Sequence, residues 1–165
     1  MKHYLFSLFI LLVITGKGVG QVAAERKEAL KEFKTLMENK PFVNGTTVYE
    51  IYDVTLSECT LNYKVYITGQ DNREGKTFIH RNYSLQLQYL KDPSFYSADS
   101  SLFWIVLPAN TNEAITENIL PDKKSKMIPL SVSKKFLSFA SIPVYKNDPG
   151  FLRVINRLVS SCQSN

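Results

Sequence analysis

The sequence predicts an α+β protein: an antiparallel roll or barrel of six to seven strands, with an N-terminal helix before it and a C-terminal helix packed on it. The first observation is a helical apolar stripe over residues 149–162. The second is a series of β-type segments between Thr47 and Pro143, several of which alternate apolar and polar residues. The third is an amphipathic pattern over residues 25–40. We expect the β-rich domain to span residues 46–162.

The first twenty residues have the composition of a signal peptide. A short basic start precedes an apolar run from Tyr4 to Thr15, and small residues follow. That run has the length of a signal-peptide core, whereas a helix that crosses ~30 Å of hydrocarbon needs ~20 residues. We therefore expect a signal peptide over residues 1–20, cleaved after Gly20 or Ala24, and an exported protein, periplasmic or extracellular, with no membrane span after cleavage.

About 140 residues remain after this leader, which is enough for one domain with its own core. Loss of Lys2 and Lys17 lowers the formal net charge from +5 to +3. The remaining basic residues are scattered, whereas nucleic-acid-binding domains cluster theirs on one face. We expect no nucleic-acid partner.

Residues 25–40 predict an amphipathic helix that Pro41 ends, with the opposite face charged. We expect it to pack on the domain, with contact to a partner as the alternative. Its apolar stripe comprises Ala29, Leu30, Phe33, Leu36 and Met37.

The strands follow in order after a turn at Asn44-Gly45. A polar loop at 69–75 and a Ser-rich loop from Asp92 to Ser101 separate them, and a turn at 133–135 precedes the last strand. The apolar run at 102–107 does not alternate, which is typical of a strand buried on both faces. The predicted strands are Thr47–Val54, Thr55–Thr68, Lys76–Leu90, Leu102–Leu107, Met127–Val132 and Phe136–Pro143, with a further short one around Ile115.

An antiparallel meander of this size curls into a barrel or splits into two packed sheets, because an open edge invites aggregation. With a helix at the end, the order of elements indicates a roll of the pleckstrin-homology-like kind. An eight-stranded lipocalin-like barrel is the alternative, since it also ends in a helix.

The last helix should begin at Pro149, after a capping Asp148, and bury a stripe that ends at Cys162. Cys59 lies at the start of an alternating strand, and its thiol points inward as that of Cys162 does. In an exported chain we expect these two cysteines to form a disulfide, with two buried free thiols as the alternative.

Several short motifs occur in order along the chain: Ser57–Leu61, Ser84–Leu87, Asp92–Ser94, the apolar strand around Trp104, and Leu158–Cys162. Together they resemble an uncharacterised bacterial exported module. The resemblance covers about residues 49–162, and the chain departs from that module at 110–126. The resemblance implies a pleckstrin-homology-like barrel and no activity.

The mature chain carries no catalytic pattern. It has one histidine, His80, in the middle of a predicted strand, and no Gly-x-Ser-x-Gly or Gly-rich phosphate motif. Two cysteines and one histidine are too few for a metal site. We expect no enzyme, no cofactor and no metal, and we read His80 as a surface strand residue.

Aromatic residues are the compositional excess, with nine Tyr, ten Phe and one Trp. Tyr52 and Tyr66 could form a recognition surface if they face outward together, or line a cavity if they face inward, with ordinary cross-strand packing as the plainer reading. Asn44 and Asn82 fit the glycosylation pattern, of which Asn44 is the better site if the source is eukaryotic. We expect a non-enzymatic binding or interaction module with an unknown protein partner; the alternative is a carrier of a small hydrophobic ligand in a lipocalin-like barrel.

Overall fold

The computed structural model describes residues 18–71, 75–97, 102–120, 134–145 and 149–163. Within these ranges the chain is α+β, with a helix at each end, as the sequence predicts. The helices are α1 (Val19–Met37) and α2 (Pro149–Gln163), with a short 3-10 helix at Leu87–Tyr89. The strands are β1 (Pro41–Asn44), β2 (Thr47–Ser57), β3 (Thr60–Asp71), β4 (Gly75–Gln86), β5 (Ser94–Ser97), β6 (Leu102–Pro108), β7 (Ile115–Leu120), β8 (Lys134–Phe136) and β9 (Phe139–Tyr145).

The nine strands of the described residues form two antiparallel sheets. The large sheet has the order β1-β2-β3-β4-β7-β8, and the small sheet has the order β5-β6-β9. The described strands do not close into one barrel, so the predicted barrel is wrong, and so is its lipocalin-like alternative. The meander divides because β9 returns to pair with β6 over its full length instead of extending the edge beside β8.

Hairpin turns organise the first half of the large sheet. The predicted turn at Asn44-Gly45 is confirmed, since Gly45 adopts a φ of 56° between the paired strands β1 and β2. The predicted break after Val54 is wrong. The strand continues through a β-bulge, where Asp53 adopts a φ of 53° and the register with β3 shifts, and the turn comes only at Glu58 and Cys59.

Three short strands lie where the sequence predicts none, and the first of them, β1, pairs with β2. β5 falls in the predicted Ser-rich loop and pairs with β6, and β8 includes two lysines of the predicted turn and pairs with β7. The sequences of β5 and β8 do not alternate apolar and polar residues. These segments are therefore extended because they pair with a neighbouring strand, not because of their own β-propensity. The predicted strand Met127–Val132 lies outside the described residues.

Burial corrects the prediction for β6. Ile105 and Leu107 are buried, whereas Trp104 and Val106 are half-buried, so the strand alternates and only one of its faces is fully covered.

The two helices pack against each other and share one core with both sheets. The predicted stripe of α2 is confirmed, as is packing of the N-terminal helix, which begins at Val19 and ends at Met37 instead of spanning 25–40. Arg157 and Arg153 of α2 both pair with Glu32 of α1, at 2.7 and 3.2 Å. The helices contribute to the core the buried apolar residues Ala29, Phe33 and Met37 of α1 and Phe151, Val154, Ile155, Leu158, Val159 and Cys162 of α2.

The predicted disulfide between Cys59 and Cys162 is confirmed, with Cα atoms 5.6 Å apart. The guanidinium of Arg26 in α1 donates to the carbonyl oxygens of Glu58 at 3.2 Å and Ser161 at 2.6 Å, the residues just before the two cysteines. One α1 side chain thus holds both backbone segments that the disulfide joins. The bond is compatible with an oxidising compartment. Of the helices described, neither has the length and apolarity needed to cross a membrane.

Candidate ligand-binding cleft

One of several concave features of the described residues is a cleft where the inner face of the large sheet meets the small sheet. Its volume is about 440 Å³, within the range of ~300–1,000 Å³ that small-molecule sites occupy. Most lining side chains are apolar or aromatic. They are Tyr49, Val65, Ile67, Ile79, Arg81, Tyr83 and Glu117 of the large sheet, with Trp104, Leu137, Ser138, Phe139, Ala140, Ser141 and Pro143 opposite.

Strand alternation places these side chains. Tyr49, Ile67 and Ile79 occupy paired positions on three adjacent strands, so they project to the same face of the large sheet. The ring of Tyr49 meets the ring of Trp104 edge to face, with centroids 5.1 Å apart. This aromatic contact joins the two sheets at one wall of the cleft. Ser138 is exposed at its rim.

A charged group lies among these apolar side chains. Arg81 Nη1 donates to Glu117 Oε1 at 3.0 Å, and the hydroxyl of Tyr83 donates to the same oxygen at 2.6 Å. Glu117 is only 5 % exposed, and a buried carboxylate is stable only when it is paired and hydrogen-bonded. Tyr83 and Glu117 are direct cross-strand partners between β4 and β7, so the sheet register itself sets this contact.

Burial and then the hydrogen bond to Glu117 raise the pKa of Tyr83 to about 12, although Arg81 acts in the opposite direction. Tyr83 is therefore an uncharged donor at neutral pH. Its ring stacks on that of Tyr63, at a centroid distance of 5.1 Å, and burial raises the pKa of Tyr63 well above its usual value. The Tyr63 hydroxyl is buried and has no hydrogen-bond partner among the described residues.

The predicted aromatic pair lies on the opposite face of the large sheet. The hydroxyl of Tyr52 is hydrogen-bonded to His80 Nδ1 at 2.8 Å, and the ring of Tyr66 lies 4.5 Å from the His80 ring. The structure thus brings Tyr52 and Tyr66 together around a histidine, away from the cleft. Recognition of a partner by this cluster stays a prediction.

The two glycosylation motifs occupy different environments. Asn44 ends β1 beside the turn and is half-buried, and its modification stays a prediction. Asn82 lies in β4, paired on both sides, and its Oδ1 atom is buried.

Arg81 and Glu117 were not predicted as site residues from the sequence. The sequence does contain a pattern that could have identified them. Around each of the two charges, every second residue is apolar or aromatic: Arg81 lies between Ile79 and Tyr83, and Glu117 lies between Ile115 and Ile119. A charge at an inward strand position is costly without a partner, and therefore marks a site worth locating.

Within the described ranges, no three His, Cys, Asp or Glu side chains come together as metal ligands. Both cysteines of the chain are in the disulfide, so neither offers a free thiol. Comparison of the chain with protein-family models, with curated proteins and with solved structures finds no match, and the pleckstrin-homology-like resemblance stays a prediction.

Proposed function

We propose that the chain is an exported, non-enzymatic binding protein whose ligand is a small, largely apolar molecule held between its two sheets. The observation that carries this proposal is the cleft of about 440 Å³ with its apolar and aromatic walls. This keeps the carrier hypothesis of the sequence, with a cleft between sheets in place of a barrel interior.

The chemistry of the cleft supports binding over catalysis. Three of its polar side chains, Arg81, Glu117 and Tyr83, are hydrogen-bonded to one another, so they are engaged with each other rather than aimed at a substrate. His80 lies on the other face of the sheet and is bonded to Tyr52. The predicted leader and the disulfide support export.

The chain's single tryptophan lines the cleft and provides a probe of occupancy. Titration with the apolar fluorophore N-phenyl-1-naphthylamine should give saturable, one-to-one binding with quenching of Trp104 fluorescence. The Ser138→Phe variant, which adds a phenyl ring at the rim of the cleft, should weaken binding by about tenfold. Ser57→Phe, at an exposed position on β2 that does not line the cleft, is the matched control.

Two outcomes would contradict the proposal. One is the absence of saturable binding to a folded protein. The other is binding that Ser138→Phe leaves unchanged while Tyr96→Ala abolishes it. Tyr96 does not line the cleft but lines a second depression on the small sheet, which shares Trp104, Phe139 and Ser141 with the cleft.

A second candidate function, contact with a protein partner, is favoured by exposed aromatics on the small sheet. Tyr96 is 58 % exposed and Phe139 is 53 % exposed, and aromatic residues are enriched at protein interfaces. A pulldown from the envelope or medium with wild-type protein should then recover a partner that a Tyr96→Ser/Phe139→Ser variant loses. Equal recovery by both proteins would remove this candidate.

A further inference from the structure

From the Arg81–Glu117 pair we infer that the ligand of the cleft is an uncharged amphipathic molecule, with an apolar body and a hydroxyl or amide group that binds at this pair. The inference rests on the proposed function, because it names the class of ligand for the same cleft. It adds a role for the two charged residues that the apolar walls do not explain.

The net charge of the cleft favours an uncharged ligand. Among the described residues that line it, Arg81 and Glu117 are the charged ones, and their formal charges cancel. Tyr83 is uncharged at neutral pH because its pKa lies at about 12. A charged ligand would lose its hydration without gaining an unpaired opposite charge, whereas an uncharged one avoids that cost.

Arg81 and Glu117 retain hydrogen-bonding capacity that a ligand can use. A guanidinium has five N–H donors. Arg81 Nη1 donates to Glu117, the guanidinium is also hydrogen-bonded to the Tyr83 hydroxyl, and Nε is buried without a partner among the described residues, which leaves the remaining terminal N–H groups for a ligand. The Arg81 side chain is 33 % exposed, so part of it faces open space. Both bonds to Glu117 end on Oε1, and no described donor contacts Oε2. The pair can therefore still donate and accept.

A hydroxyl or primary amide can use both capacities, since each group donates and accepts hydrogen bonds. A carboxylate could accept from Arg81 but would place a second negative charge beside Glu117, and an ammonium would place a second positive charge beside Arg81. Like charges at such a distance disfavour each other. Electrostatic complementarity thus selects the uncharged group.

The test displaces bound N-phenyl-1-naphthylamine with 1-decanol, decanoate or decylamine, which share the same alkyl chain, at neutral pH. We expect 1-decanol to displace the fluorophore at a concentration about tenfold lower than either charged analogue. Since the alcohol is also the more apolar molecule, an Arg81→Met/Glu117→Leu variant supplies the comparison. In this variant the affinity for 1-decanol relative to that for the fluorophore should fall about tenfold from its wild-type ratio.

A charge switch sharpens the test. Glu117→Gln keeps an acceptor for Tyr83 and Arg81 but leaves the cleft with a positive charge, so its affinity for decanoate should rise about tenfold relative to 1-decanol. Glu113→Gln, at an exposed acid before β7, should leave the preference unchanged.

Decanoate displacing the fluorophore from wild type as well as 1-decanol does would overturn the inference and leave the proposed function standing. An unchanged ratio of these two affinities, for 1-decanol and for the fluorophore, in the double variant would also overturn it. Failure of the fluorophore itself to bind would instead overturn the proposed function, and the inference with it.

Discussion

Cys59 and Cys162 lie 103 residues apart in the chain, and their disulfide joins the β2–β3 turn to the last turn of α2. This bond should dominate the stability of the helical end of the molecule. A Cys59→Ala/Cys162→Ala variant should lose about 4–5 kcal/mol of unfolding free energy, because the unfolded chain regains the entropy of a loop of ~100 residues. Urea denaturation of the variant and of the wild type gives the difference.

The control for this prediction is the wild type with a reducing agent, which should unfold at nearly the same urea concentration as the double variant. A loss below about 1 kcal/mol would contradict the loop-entropy argument.

Arg26 should stabilise the same region without a covalent bond. Replacing it with Met removes two charge-assisted hydrogen bonds, to the carbonyl oxygens of Glu58 and Ser161. The expected loss is about 1–3 kcal/mol of unfolding free energy, measured by urea denaturation. Lys27→Met, at the exposed neighbouring position on α1, is the control. Equal stabilities of the two variants would show that the Arg26 contacts contribute nothing.

Packing between the helices predicts a cost for shortening Leu158, which is buried on α2. Leu158→Ala should lower the unfolding free energy by about 2–5 kcal/mol, because it leaves a cavity between tightly packed side chains. Asn156→Ala, on the exposed face of the same helix, should change it by no more than about 0.5 kcal/mol. Chemical denaturation measures both, and similar losses for the two variants would rule out a buried α2 stripe.

Tyr83 predicts a loss of stability at alkaline pH. Its pKa is raised from 10.0 to about 12 in the folded protein, so between these values the unfolded chain holds fewer protons than the folded one. The stabilisation is therefore complete below pH 10 and disappears as the pH rises through about 12. Urea midpoints measured from neutral pH upward should fall in this window, and less steeply in Tyr83→Phe.

Tyr63 acts in the same direction, since burial also raises its pKa, so Tyr83→Phe should reduce the alkaline slope without removing it. Tyr96→Phe changes an exposed tyrosine and should retain the wild-type slope. If Tyr83→Phe and wild type have the same pH dependence, burial and the hydrogen bond to Glu117 do not raise the pKa of Tyr83 as we assign.

Local patterns in the sequence were enough to predict several features of the structure. The stripe of α2 could be predicted because residues three and four apart share a face of a helix, and the turn at Asn44-Gly45 because glycine tolerates a positive φ. The disulfide could be predicted from two cysteines in a chain that begins like an exported one.

Features that depend on contacts between distant parts of the chain could not be predicted from local sequence patterns. The bulge at Asp53 resembles a strand end, because the local pattern does not show whether the chain reverses or only bends. Nor did local propensity identify β5 and β8, which are strands by virtue of the partners β6 and β7.

The amino-acid sequence by itself determined the presence of the two helices, the antiparallel hairpin of β3 and β4 and the pair of cysteines, because each depends on residues close in the chain or on a count. Only the tertiary structure decided that the strands divide into two sheets, and that Arg81 and Glu117 meet in the cleft between them. Those outcomes depend on which strands pair with each other, for example β6 with β9. Alternative strand pairings compete, and the stable pairing is the one that buries the whole core, which no single segment of the sequence specifies.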